Sequence, residues 1–281
     1  MSPEAWTDER LESFYGVALR TRHHGLRTDK PVLVLVPPLA TTPAFLQRAS
    51  DHLATHFAVV SWEPRLFLQS DEVLPDASML TLDALVRDLE CVVDRLALKR
   101  INLVGYCSGA SAALHMAAAS DRVDRIALVN GAYFLSPADC ELTAYERDTY
   151  ELAPLIASGR PQATAIFDML SRQGVRQQNR HHEFEADIQQ TYAHPESLYR
   201  FGLGLNELLC SDVKRVATRT NAPTLVLSSE PDAITHSSSS ALIGSLIPDS
   251  ETAIAPVGDH YEFCRAKPAL LERLDAFFGR G

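Results

Sequence analysis

Six short apolar runs, each closed by a turn signal, restrict this chain to few architectures. They are "PVLVLVPP" (31–38), "FAVVSWEP" (57–64), "INLVG" (101–105), "RIALVNG" (125–131), "PTLVLSS" (223–229) and "ETAIAPV" (251–257). Rich in Val, Ile and Leu, they predict strands buried on both faces. Helical patterns lie between them: "LTLDALVRDLECVVDRLAL" (80–98) places apolar residues at helical spacing, with Thr81 or Asp83 near its start. Strands separated by helices imply an α/β fold, a mostly parallel sheet with right-handed crossovers and helices on both faces.

The alternation fails between about 132 and 221, where "AYERDTYELAPLIASG", "QATAIFDMLSRQG" and "SLYRFGLGLNELL" read as helices without a sheet strand. This stretch is predicted to be a helical lid insertion within a single domain covering 1–281. At 281 residues and 46% hydrophobic, the chain can bury one large core.

A formal charge of -10 argues against nucleic acid or an anionic membrane as partner, because both reward a basic surface. The opening "MSPEAWTDERLESF" has no basic n-region before an apolar stretch, and no apolar run reaches membrane-spanning length, so a cytoplasmic protein is expected. Five widely spaced cysteines without CxxC suggest reduced thiols rather than a disulfide framework or a metal site.

One of those cysteines sits where chemistry is built. Gly105-Tyr106-Cys107-Ser108-Gly109 is a G-x-C-x-G between a strand and a helix, the pattern of a nucleophile elbow. The flanking glycines permit close backbone approach, Ala110, Ala112 and Ala113 let the helix lie against the sheet, and the helix N-terminus favours a thiolate at Cys107. A thiol nucleophile needs a base and an orienting acid, which on such an elbow follow in the order nucleophile, acid, histidine. "LVLSSEPDAITH" offers Asp232 after a strand, with Glu230 as competitor, and "APVGDHYEFC" offers His260 after the last strand. His115 falls on the elbow helix and is expected to pack there, while His181 and His182 fall in the lid. The oxyanion donors expected are the amides of Ser108 and Leu39, the latter following Pro37 and Pro38, which have no N–H; Ala40 is the alternative. Tyr106 beside the nucleophile and His236 near the acid are expected substrate contacts. In the lid, "SRQGVRQQNRHH" spaces Arg172, Arg176 and Arg180 four apart, so a helix would align them toward a phosphate or an acidic helix.

Taken together, these residues resemble the α/β-hydrolase superfamily along the chain apart from the lid. Within it, "LVLVPPLATTPAFL", "FAVVSWEP" and "NLVGYCSGASAAL" look like the catalytic domain of polyhydroxyalkanoate synthases, with "EPDAI" and "GDH" where that family keeps its acid and histidine. The resemblance implies Cys107, Asp232 and His260 as a triad. The chain is shorter than those synthases, and Ala110 stands where they carry a second glycine. Its size and cysteine elbow are similar to the aminoacyltransferases that shuttle amino acids between carrier-protein thiols in nonribosomal peptide pathways. Dienelactone hydrolases share the triad in a smaller chain without such a lid.

The choice of thiol over hydroxyl separates these possibilities. A serine enzyme converts a thioester into a lower-energy oxyester, whereas a cysteine enzyme forms another thioester, so exchange between thiols is nearly balanced. The expectation is an acyl or aminoacyl transferase working through a Cys107 acyl-enzyme, with acyl or peptidyl carrier proteins or CoA thioesters as partners. No bound cofactor or metal is expected, since the acyl group rides on a phosphopantetheine arm. A thioesterase or other hydrolase using the same triad is the alternative.

Overall fold

Side-chain alternation along the central strands sorts the core into two layers. The computed structural model describes residues 5–65, 76–172 and 184–279. Its strands are β1 (Thr7–Glu12), β2 (Ala18–His24), β3 (Val32–Val36), β4 (Ala58–Trp62), β5 (Ile101–Tyr106), β6 (Val123–Val129), β7 (Thr224–Ser229) and β8 (Ser250–Ala255). They form one sheet in the order β1-β2-β4-β3-β5-β6-β7-β8. From β4 to β8 every pairing is parallel, whereas β2 pairs antiparallel with both β1 and β4. Leu33, Leu35, Val104 and Val129 face one layer and Val34, Val36, Leu103 and Leu128 the other, as a period of two demands.

Helices α1 (Gln47–Leu53) and α10 (Pro268–Phe278) cover the first layer, through Ala49, Leu53, Leu271 and Phe277. The second is covered by α2 (Leu82–Arg95), α3 (Gly109–Ala119) and α9 (Ser237–Leu246), through Leu89, Val92, Met116 and Ile243. Thr81 is the cap of α2, its hydroxyl accepting from the Ala84 amide at 3.1 Å, and Asp83 lies in the first turn.

Two expectations need correction. The hairpin β1–β2 was not among the apolar runs, because "TDERLE" and "ALRTRHH" keep much of their side-chain surface in solvent. Strand β8 is not buried on both faces; its residues alternate exposed and half-buried, since only β7 pairs with it.

Between β6 and β7 the described chain is helical: α4 (Ala144–Ala157), α5 (Arg160–Arg172), α6 (Glu185–Thr191), α7 (Pro195–Cys210) and α8 (Val213–Ala217). Helix α7 packs on α4 and α5, where Ile156, Ala163, Leu198 and Tyr199 form a small separate core. Among the described residues, no helix is long and apolar enough to cross a membrane.

Candidate active site

The sheet reverses its winding at β3, with β4 on one side and β5 on the other, and ligand crevices in such sheets open at the carboxyl ends of the strands. Cys107 lies there, in the turn between β5 and α3, with φ 52 in the left-handed region that a non-glycine residue rarely adopts. Backbone bonds hold it. Its amide donates to the Val129 carbonyl at 3.1 Å, and its own carbonyl accepts from the amides of Ala110 and Ala132, each at 3.0 Å. The flanking glycines are required by close approach: a Cβ on Gly105 would stand 2.6 Å from Ala110 Cα, and one on Gly109 would stand 2.3 Å from the Val36 carbonyl oxygen. The second contact presses the start of α3 against the end of β3 and brings Ser108 to Leu39. The Leu39 amide donates to Ser108 Oγ at 2.9 Å. Ala40 also carries a left-handed φ, 56.

Asp232 follows β7 and is buried. Its Oδ2 lies 2.8 Å from His260 Nδ1 and also accepts from Asn130 Nδ2 at 2.8 Å and Thr235 Oγ1 at 3.0 Å. Oδ1 accepts from the amides of Ile234 at 2.7 Å and Thr235 at 3.0 Å. Glu230, the competing acid, is exposed, so Asp232 is the carboxylate that meets the imidazole. Burial alone would raise the Asp232 carboxyl, yet the hydrogen bond and charge of His260 and the two amides hold it below its ordinary value.

His260 is buried, and the Cys107 sulfur is near enough to act on its charge. Burial pulls the imidazolium down, but the Cys107 thiolate and Asp232 together outweigh it and carry its pKa up to about 10. Cys107 itself is half-buried, leaving part of its surface accessible. The imidazole therefore bonds the carboxylate on one side and feels the charge of Cys107, with Ser108 following at the start of α3.

Three of the expected substrate contacts lie within the described residues. Tyr106 is buried beside the site: its ring lies 5.3 Å from that of His260 and packs near Phe45 and Phe263, and its hydroxyl donates to the His260 carbonyl at 2.7 Å, so it supports the histidine. His236 caps α9, with Nδ1 2.8 Å from Ser238 Oγ and Nε2 3.6 Å from Glu141, at the seam between the acid loop and α4. Arg172 is an exposed residue in the last turn of α5, while Arg176, Arg180, His181 and His182 lie outside the described residues. His115 packs as expected, its Nδ1 2.7 Å from the Ser111 carbonyl oxygen one turn back.

Of the aromatic residues in the inserted helices, Phe167 and Tyr199 belong to the insert's own core and Phe201 packs on the main one. Tyr145 does approach the site: burial, then Tyr192 and the Cys107 thiolate, push its phenol well above its usual value. Tyr261 adds a second phenol, edge-on to His260 with centroids 5.4 Å apart and stacked on Phe184 at 5.5 Å, which in turn meets Phe45 at 5.3 Å. Asn130, Tyr261, Phe184 and Phe45 were not singled out from the sequence. The Asn130-Gly131 turn after β6 was the available signal for the first, and adjacency to His260 for Tyr261.

A sequence model of the α/β-hydrolase fold matches residues 31–263. An L-allo-isoleucyltransferase from Pseudomonas savastanoi pv. glycinea is 26% identical over 264 residues, covering 90% of this chain and 88% of that one. Among solved structures, a hydrolase from Pseudomonas aeruginosa PA01 superposes with TM-score 0.71 at 20% identity, over 97% of this chain and 98% of the other. The enol-lactonase from Burkholderia xenovorans LB400 gives 0.69 at 19% identity, over 97% of this chain and all of its own. At such identities these two likenesses concern the fold alone.

Proposed function

The chain belongs to the α/β-hydrolase family, and within that family we propose that it is a cysteine-dependent acyl transferase, moving an aminoacyl group from one phosphopantetheine thioester to another. The observation that carries this reading is a thiol at the strained turn, acting on the charge of a histidine that a buried carboxylate hydrogen-bonds. Similarity over most of the chain to an enzyme named as an aminoacyl transferase supports the aminoacyl group as cargo.

The reaction would run in two thioester exchanges. His260 holds the proton that leaves Cys107 as thiolate; the sulfur attacks the donor carbonyl, and the carbonyl electron pair moves onto oxygen, beside the Ser108 amide. Collapse breaks the donor C–S bond, and the departing thiolate takes the proton from His260. The acceptor thiol then gives its proton to His260 and attacks the Cys107 thioester. The helices between β6 and β7, with Tyr145 near the sulfur, would shield the acyl-enzyme from water. Donor and acceptor are carrier proteins or CoA in the cytoplasm, and the net negative charge agrees with neither nucleic acid nor membrane as partner.

The test is intact mass after incubation with carrier-bound aminoacyl thioesters, L-allo-isoleucyl among them. Wild type should gain one acyl mass, and Cys107→Ala none. The loaded enzyme should then lose its acyl group faster when a second carrier bearing a free thiol is added. Equal decay with and without that carrier, yielding free acid, would assign the protein as a thioesterase.

A further inference from the structure

Ser108 occupies the N-cap of α3, yet its hydroxyl makes no capping bond. A serine at this position ordinarily accepts from an amide of the helix it starts. Here the backbone is helical, φ -62 and ψ -23, and the side chain reaches across to the end of β3, where it accepts from the Leu39 amide at 2.9 Å in a buried setting. That amide is one of the two that a nucleophile elbow aims at the carbonyl oxygen of its substrate; the other is the Ser108 amide itself. The hydroxyl is thus attached to one oxyanion donor and hydrogen-bonded to the other, so it lies between them. Among the described residues no acceptor takes its proton.

An incoming thioester oxygen therefore meets a hydroxyl where a bare amide was expected. We infer that the Ser108 hydroxyl is a direct donor to the oxyanion, standing in for the Leu39 amide that it occupies. A hydroxyl that accepts from an amide is polarised and becomes a better donor through its own O–H. The rotor is free to turn its proton toward charge as it develops on the carbonyl oxygen. No proton is transferred: the sulfur–carbon bond forms, the carbonyl electron pair localises on oxygen, and the Ser108 N–H and O–H both bond to it until the donor C–S bond breaks. Leu39 acts at one remove, as a positioning residue. Gly109 makes the arrangement possible, since any side chain there would drive Ser108 away from β3.

This inference rests on Cys107 as the nucleophile but not on the identity of the acceptor, because loading precedes the choice between thiol and water. The experiment compares wild type, Ser108→Ala and Ser108→Thr in single-turnover loading from an aminoacyl carrier thioester, with alkylation of Cys107 by iodoacetamide as the control. Loading by Ser108→Ala should fall about a hundredfold, the usual consequence of removing one oxyanion donor, while alkylation keeps its wild-type rate because the thiol and His260 are untouched. Ser108→Thr, which retains the hydroxyl, should recover most of the lost rate. Loading by Ser108→Ala at or above the wild-type rate overturns the inference, since the released Leu39 amide would then be the true donor. So does a loss that threonine does not rescue, or one matched by an equal loss of alkylation, because either assigns the effect to packing. Absence of loading in wild type, with alkylation intact, would instead remove the functional reading beneath it.

Discussion

At Cys107 the backbone accepts a left-handed φ, a conformation costing on the order of 1–3 kcal/mol, and in return presents a sulfur to His260. The electrostatic consequence can be measured at the histidine. With its pKa raised to about 10 against an ordinary 6.5, the imidazolium contributes stability that is complete below 6.5 and fades as pH rises through about 10. Loading should therefore be level across neutral pH and decline only as His260 loses its proton at alkaline pH. The largest upward influence on His260 is the thiolate. In Cys107→Ala that charge is gone while burial remains, so the His260 titration, followed by its ring-proton NMR signal, should move down by more than about one pH unit. A midpoint that stays near 10 would mean that Asp232 alone sets it and that the sulfur is not in charge contact. The turn at Cys107 and the Asp232–His260 pair were legible in the sequence because glycine spacing and chain order single them out. Asn130 was not, since an asparagine in a turn is common, and only the fold brings its amide onto the acid loop.

The elbow between β5 and α3 shows how an element can fix a site through the absence of side chains. A methyl group on Gly105 would meet the Cα of Ala110 at 2.6 Å and the Cβ of Ala113 at 2.8 Å. The nearer contact is backbone, so no rotamer change relieves it, and α3 must move off the sheet. Gly105→Ala is expected to cost about 1–3 kcal/mol, as overpacking does, read as a lower denaturant midpoint at unchanged slope, and to slow loading because α3 carries Ser108. Wild-type stability would show that α3 has slack against β5. The same helix–strand contact explains what was readable at this scale. The central strands and α2 announced themselves because burial on both faces, or on one stripe, leaves a strong apolar period. The hairpin β1–β2 did not, and β8, though readable as a strand in "ETAIAPV", did not show that it lies at an edge, because a strand with one wet face or one neighbour needs few apolar residues.

The whole molecule depends on a buried charge to attach that polar hairpin. Ser13 from the β1–β2 turn, Arg65 from the segment after β4 and Asp88 from α2 meet in one cluster: both the Ser13 hydroxyl and the Arg65 guanidinium donate to the Asp88 carboxylate. The Phe14 ring lies 3.9 Å from the Arg65 guanidinium carbon and 4.1 Å from that of Arg87. Three parts of the chain far apart in sequence are tied at this point, which no local pattern could reveal. Burial raises the Asp88 carboxyl above its ordinary value, and the hydrogen bond and charge of Arg65 only partly offset it. Such a pair gives less net stability than its geometry suggests, yet losing one member is severe because the other stays charged in a dry site. Asp88→Ala should accordingly cost about 3–5 kcal/mol, with the β1 and β2 amides losing hydrogen-exchange protection before those of β5 and β6. Replacing both charges, as in Arg65→Met with Asp88→Leu, should cost distinctly less than Asp88→Ala, because no uncompensated guanidinium remains. A double variant as unstable as the sum of its single changes would mean that the two residues act independently. The attachment of the hairpin would then have to be sought in its strand pairing with β4.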